Sequence, residues 1–211
     1  MGQRVEKKRN ISAYRVRKLR KPKNNILIAV EGKNKTEKLY FNNFDDGKKS
    51  YSIIFAKGNY TDPLNLVKML IKEIKTLGLN LKNGDEAYCI FDTDIDPSKN
   101  DIINEAKKLA NSNNIKVITS TPSIELWFLL HYKYTTASMN NKNVIDNLKK
   151  YYPIYEKNID IYPDIKDKTL AAIKRAKELE IFQLSNGKVI GNVQTNPNTE
   201  IYKIVEELLQ K

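Results

Sequence analysis

The sequence predicts an α/β protein, with a parallel sheet of about four strands flanked by helices and a C-terminal helical extension. Three observations carry this prediction. Short apolar runs of strand length alternate with segments whose apolar residues recur at helical spacing, over residues 26–119. Such alternation implies crossover connections and hence parallel strands with helices on the faces of the sheet. After Pro122 the strand-like runs stop and the pattern turns mainly helical.

Ile26–Glu31 (ILIAVE) is a continuous apolar run ending in an acid, which suits a buried parallel strand. Asn34 followed by Glu37 suits a helix cap, and Tyr40, Phe41 and Phe44 give the next helix an apolar face. Tyr51–Ala56 (YSIIFA) reads as a second strand. Leu64, Val67, Leu70, Ile71, Ile74 and Leu77 recur at helical spacing, and Gly78 stops that helix. Glu86–Phe91 (EAYCIF) is a third strand, Ile102–Ser112 a helix and Ile115–Thr119 (IKVIT) a fourth strand. Beyond Pro122, Ile124–Tyr132, Val144–Tyr151, Lys168–Leu179 and Thr199–Gln210 are helical, with polar loops at 135–142 and 153–164. The expected organisation is a basic arm over residues 1–25, an α/β core over 26–122 and a helical extension over 123–211 packing on that core.

Composition removes several classes. Of 211 residues 40% are apolar and 29% charged, which fits neither a membrane bundle nor a low-complexity disordered chain. No apolar run approaches the roughly 18 residues a bilayer span needs, and the charged start has no apolar signal core. A single cysteine, Cys89, excludes an internal disulfide and a multi-cysteine zinc site. A cytoplasmic protein without membrane contact is expected. Residues 1–25 hold ten basic side chains against one acid, a net +9 of the chain's +12. Arg15, Arg17, Lys18, Arg20 and Lys21 lie in that arm. Such a cluster suits salt-dependent, sequence-blind contact with DNA or RNA, and equally a solvated tail.

The chemistry-bearing residues follow the strands. Functional groups of open parallel sheets gather at the carboxyl ends of strands. Glu31 ends the first strand and precedes Gly32, where a ligand can approach closely. Asp92, Asp94 and Asp96 follow the third at a spacing of two, which in extended chain turns Asp92 and Asp94 to one side. Hard carboxylate oxygens with open water positions suit Mg²⁺ or Mn²⁺. The same D-x-D-x-D-P run is also good turn chemistry. Calcium binding of the EF-hand type is discounted, because Pro97 stands where that loop needs glycine and Ile103 where it needs glutamate.

Strand-Glu31-Gly32-helix followed by strand-Asp92-x-Asp94 resembles the Toprim fold, a Rossmann-like sheet found in topoisomerases, primases and OLD-type nucleases. Flanking residues narrow this. Glu31-Gly32 with Thr36-Glu37 and Tyr40-Phe41, the run from Ser120 to His131 (STPSIELWFLLH) and Asn196-Pro197-Asn198-Thr199 resemble the RloB-like (AbiLii-like) family. The resemblance spans about residues 26 to 209. It implies a metal-dependent nuclease of bacterial anti-phage and restriction-linked loci, often beside an ABC/SMC-like ATPase. By that analogy Asp92 and Asp94 would hold Mg²⁺, and Glu31 would be a general acid/base or second-metal ligand. Asp96 would be an outer-shell acid, and Lys33 a phosphate contact. A topoisomerase is not expected, since its nucleophilic tyrosine usually lies on another domain and 211 residues leave little room for strand-passage machinery.

Glu125 and His131 are further catalytic candidates. Glu125 lies beside Leu126, Trp127 and Phe128, and a carboxylate near buried surface needs a partner or a metal. His131, the only histidine, fits either a core position or a catalytic one, and an acidic partner would favour the latter. Trp127 and Cys89 read as packing residues. There is no P-loop. The reading is a phosphodiester-cleaving nuclease; the alternative is a non-catalytic Toprim-like module that binds nucleic acid or a partner ATPase.

Overall fold

The run NNILIAV forms β1 (Asn24–Val30), whose last five residues are buried. A strand covered on both faces reads as a continuous apolar run because neither side chain direction meets water. The computed structural model describes residues 23–32, 35–93 and 96–211. In it β1 pairs in parallel with β2 (Tyr51–Phe55) on one side and β3 (Glu86–Asp92) on the other, and β3 pairs in parallel with β4 (Lys116–Thr121). The helices α1 (Lys35–Asn42), α2 (Pro63–Leu77) and α3 (Asn100–Ser112) join these strands. The predicted cap residue Asn34 lies outside the described residues.

The sheet has five strands where the sequence predicts about four, in the order β2-β1-β3-β4-β5. β5 (Asn198–Thr199) lies antiparallel to the end of β4, with Ser120 beside Thr199 and Thr121 beside Asn198. Two residues are too short to leave a periodic signal. The pairing is held by the Ser120 and Thr199 hydroxyls, 2.8 Å apart, and by Glu200 N–H donating to Thr119 O at 2.8 Å. Thus the segment beyond residue 123 contributes to the sheet itself as well as packing on it.

Strand alternation divides the core into two layers. Ile26, Ile28, Val30, Tyr88 and Ile90 face Tyr40, Phe41 and Phe44 of α1 together with the helices of the extension. Leu27, Ala29, Ala87, Cys89 and Phe91 face Leu66, Val67 and Leu70 of α2 and Ile103, Ala106 and Ala110 of α3. Cys89 is a free, buried thiol, as its strand position predicts. The extension comprises α4 (Glu125–Leu130), α5 (Asn141–Lys149), the single turn α6 (Tyr162–Ile165), α7 (Thr169–Ser185) and α8 (Ile201–Gln210). α7 runs six residues past its predicted end at Leu179. Its second half exposes Ile181 and Leu184, so the apolar stripe does not mark the terminus. Gly187, at φ 70°, takes the left-handed turn that ends it, and its N–H donates to Leu184 O. α6 opens inside the predicted 153–164 loop, with Pro163 in its first turn, where a missing N–H costs nothing.

α2 shows how local chemistry sets an element's ends. Asp62 precedes it and accepts a hydrogen bond from Asn65 N–H at 2.8 Å, and Pro63 fills its first position. Gly78, with φ 65°, terminates it. Asp62→Ala removes the acceptor for one orphan N–H and is expected to cost about 1 kcal/mol. Urea unfolding should show a lower midpoint with an unchanged slope and native far-UV dichroism.

Candidate active site

The connections leaving β1 and β3 diverge. After β1 the chain passes to β2 on one side of the sheet, and after β3 it passes to β4 on the other. The carboxyl ends of β1 and β3 therefore flank a topological switch point, the crevice in which open α/β sheets bind ligands. Glu31 directly follows β1 and Asp92 is the last residue of β3. Register keeps them level: Val30 lies beside Ile90, and Asp92 beside Ser120. By alternation Asp92 shares the face of Tyr88 and Ile90, the face covered by α1 and the extension.

β4 delivers the third carboxylate to the same edge. Two residues beyond the end of β4, Ser123 directs its hydroxyl to Glu125 Oε2 at 2.5 Å. Tyr155 donates its hydroxyl to Glu125 Oε1 at 3.0 Å, and Lys157 Nζ stands 3.9 Å from the same oxygen. Glu125 is 1% exposed, and the Ser123 and Tyr155 hydroxyls are what make its burial tolerable.

A fourth carboxylate, Glu37, joins from α1. It is 4% exposed and its Oε2 is buried with no hydrogen-bond partner. Burial, foremost, pushes its pKa up to about 7; the charges of Glu125 and Glu31 add to the rise, against a backbone hydrogen bond and Lys157. The Tyr155 hydroxyl is likewise pushed up, by burial and then by Glu125, with smaller contributions from Glu37 and Asp92. Glu31, Glu37, Asp92 and Glu125 thus occupy one electrostatic neighbourhood with Tyr155 and Lys157. Burial, and then the charge of Glu31, raises the Cys89 thiol.

Of the predicted site residues, Glu31 and Asp92 lie at neighbouring strand ends and Glu125 follows β4 at the same edge of the sheet. Asp94, Lys33, Arg15, Arg17, Lys18, Arg20 and Lys21 lie outside the described residues. Asp96 serves its own turn: its Oδ1 accepts from Ser98 N–H at 3.0 Å and Ser98 Oγ at 2.8 Å, capping a short 3₁₀ turn over Pro97–Lys99. Three residues escape the sequence reading as site residues. In the sequence Glu37 reads as a helix-start acid and as part of the Thr36-Glu37 motif, without a site role, although an acid six positions after a strand-end glutamate is a usable signal. Tyr155 and Lys157 come from a loop and leave none.

His131 does not gain the acidic partner that would favour proton transfer. It ends α4, six residues beyond Glu125 and so about 9 Å further along at helical rise. Its Nδ1 lies 2.9 Å from Trp127 O, and its Nε2 is buried without a partner. Burial, with Lys168 and Arg175 nearby, lowers its pKa to about 4. These are the surroundings of a packing histidine. A depressed histidine pKa stabilises the fold above the unfolded value of about 6.5, and that contribution disappears as pH falls toward 4. His131→Leu should therefore flatten the acid limb of stability against pH in that window, by roughly 2–3 kcal/mol at most. Guanidinium titrations at a series of pH values, wild type against variant, measure it.

The donor chemistry suits a hard divalent ion. All four side chains offer carboxylate oxygens, and Glu37 Oε2 lacks a partner where burial makes one valuable. Among the described residues no three such side chains stand close enough to chelate one ion. Compared with known families, residues 26–208 match the profile described as RloB-like protein. The chain belongs to the RloB-like protein family. No curated protein and no solved structure matches it. The matched span of this RloB-like chain runs from the first buried residue of β1 to the last buried residue of α8, so it includes every carboxylate of the crevice. Among the described residues no helix is long and apolar enough to cross a membrane.

Proposed function

We propose that this protein is a metal-dependent nuclease with a Toprim-type catalytic domain that cleaves phosphodiester bonds of DNA or RNA. It acts as the effector of a bacterial anti-phage or restriction-linked system, beside an ABC/SMC-like ATPase. The observation that carries the reading is the placement of Glu31 and Asp92 at the neighbouring carboxyl ends of β1 and β3, flanking the switch point of a parallel sheet, with the buried Glu37 and Glu125 nearby. Glu31 and Asp92, with Asp94, would hold Mg²⁺ or Mn²⁺. When bound, the ion would offset charge developing on the phosphodiester and make a water nucleophilic at neutral pH. The chain's own contribution is positional. β1 and β3 hold Glu31 and Asp92 level, and Ser123 and Tyr155 fix the Glu125 carboxylate. The net +9 of residues 1–25 would attract a polyanion to the protein in a salt-dependent way.

The test is incubation of the folded protein, alone and with its ATPase, with mixed DNA and total RNA in Mg²⁺, Mn²⁺ or EDTA. Cutting that requires the metal is the expected result, and the substrate consumed identifies the class. Absence of cutting under every condition would overturn the reading. The basic arm supports a second reading, a non-catalytic module that binds nucleic acid or the ATPase. It predicts salt-sensitive binding indifferent to the carboxylates.

A further inference from the structure

We propose that Lys157 is a substrate-contacting residue, the phosphate-binding group that the helical extension supplies to the crevice. The identity of the substrate as a phosphodiester rests on the nuclease reading; the contact itself rests on the geometry of the loop between α5 and α6. That loop is fastened at several points. Tyr155 is fully buried and bonded to Glu125 Oε1 at 3.0 Å. Asn158 N–H donates to Thr36 Oγ1 at 3.4 Å, and Asn43 Nδ2 donates to both Asp160 carboxylate oxygens at 3.0 Å. Asn158 adopts φ 78°, a left-handed conformation that asparagine tolerates better than most residues. The loop is thereby tied to both ends of α1 and to the start of α4. Lys157 projects from this bracket at the rim of the acidic crevice.

The pair Lys157–Glu125 is loose, at 3.9 Å, whereas Lys116–Glu207 elsewhere on the surface closes to 2.6 Å. Glu125 already accepts hydrogen bonds from Ser123 and Tyr155, so its burial does not require the lysine. The Lys157 side chain is 56% exposed, and an ammonium group carries three donors. A crevice of four carboxylates repels a polyanion, and any cation held among them is aligned with the substrate. Lys157 acts electrostatically on Glu37 as well as on Glu125, which places its charge over the cluster and not beside one member. A non-bridging phosphate oxygen is the partner that fits an exposed ammonium carried on a fastened loop at this position.

The experiment compares full-length wild type, Lys157→Met and Lys157→Arg in two readouts: metal-dependent cleavage kinetics, and binding of short fluorescent oligonucleotides in Ca²⁺ over a range of KCl. Lys157→Met should lower kcat/KM by about 10- to 100-fold, the effect of one charge-assisted hydrogen bond. It should also reduce the slope of log affinity against log salt by about one. Lys157→Arg should restore most of both, and the melting temperature should not change. An unaltered salt slope in Lys157→Met overturns the proposal, as does a loss that only follows a lowered melting temperature. If wild type cleaves nothing, the nuclease reading fails separately, and the salt slope still decides the phosphate contact.

Discussion

Asp92→Ala is expected to reduce metal-dependent cleavage by about 10²-fold or more, and Asp92→Ala with Asp94→Ala to abolish it. The effect is large because a carboxylate that holds a catalytic ion cannot be replaced by water without loss of charge and position together. Asp92 closes β3 beside Ser120, so its backbone is held by the ladder and only its side chain is available for chemistry. For that reason the variant should keep its fold, and Asp92→Asn, which preserves shape while removing charge, should lose nearly as much activity. Glu31→Ala, on the adjacent strand end, should show a comparable loss. Cleavage rates at saturating Mg²⁺ and Mn²⁺, beside melting curves for each variant, make the measurement. Undiminished cutting by the Asp92/Asp94 double variant would falsify the assignment of the crevice.

Trp127→Ala should be the most damaging single change to stability, at about 3–5 kcal/mol from lost burial and the cavity left behind. Trp127 is fully buried and its ring meets His131 edge-on at 4.8 Å. Its Nε1 donates to Tyr40 OH at 2.8 Å. Tyr40 in turn packs against Phe41, Phe44, Phe128 and Tyr162, with centroids 5.2 to 5.6 Å apart. The variant therefore leaves a buried hydroxyl unpaired at the centre of an aromatic cluster, which adds to the cavity cost. Since domains are stable by only about 5–15 kcal/mol, the population of folded protein should fall visibly. Trp127→Phe keeps most of the volume and loses the indole donor, so it should cost less. Trp127 is the only tryptophan, so unfolding must be followed by far-UV dichroism instead of tryptophan fluorescence. This cluster joins α1 to α4, the elements that carry Glu37 and Glu125, so its loosening should also reduce activity in the protein that remains folded.

Much of the architecture can be read from local pattern. The apolar runs at residues 26–31, 51–56, 86–91 and 115–119 announce their strands because burial on both faces leaves no polar alternation. Asp62, Pro63 and Gly78 mark α2 because capping and left-handed turns are satisfied within a few residues. Glu31 and Asp92 are legible as strand-end acids for the same reason: a charged side chain at the end of a buried apolar run lies at the sheet's carboxyl edge, whatever packs around it.

Other features exist only once distant segments meet. β5 is two residues long and forms because Asn198 and Thr199 find the end of β4, some eighty residues earlier in the chain. Glu37, Tyr155 and Lys157 acquire their meaning from Glu125, and no spacing in the sequence predicts that a loop after α5 will reach a residue after β4. His131 carries the same lesson in reverse, since its chemistry depends on a neighbour, and the neighbour is the Trp127 carbonyl. Strand and helix alternation, and the acids at the strand ends, are therefore written in the chain itself, because periodicity, burial and capping act over a few residues. Which remote side chains share a crevice, and what that does to their charges, is settled by packing, because electrostatic environment depends on distance in space and on exclusion of water.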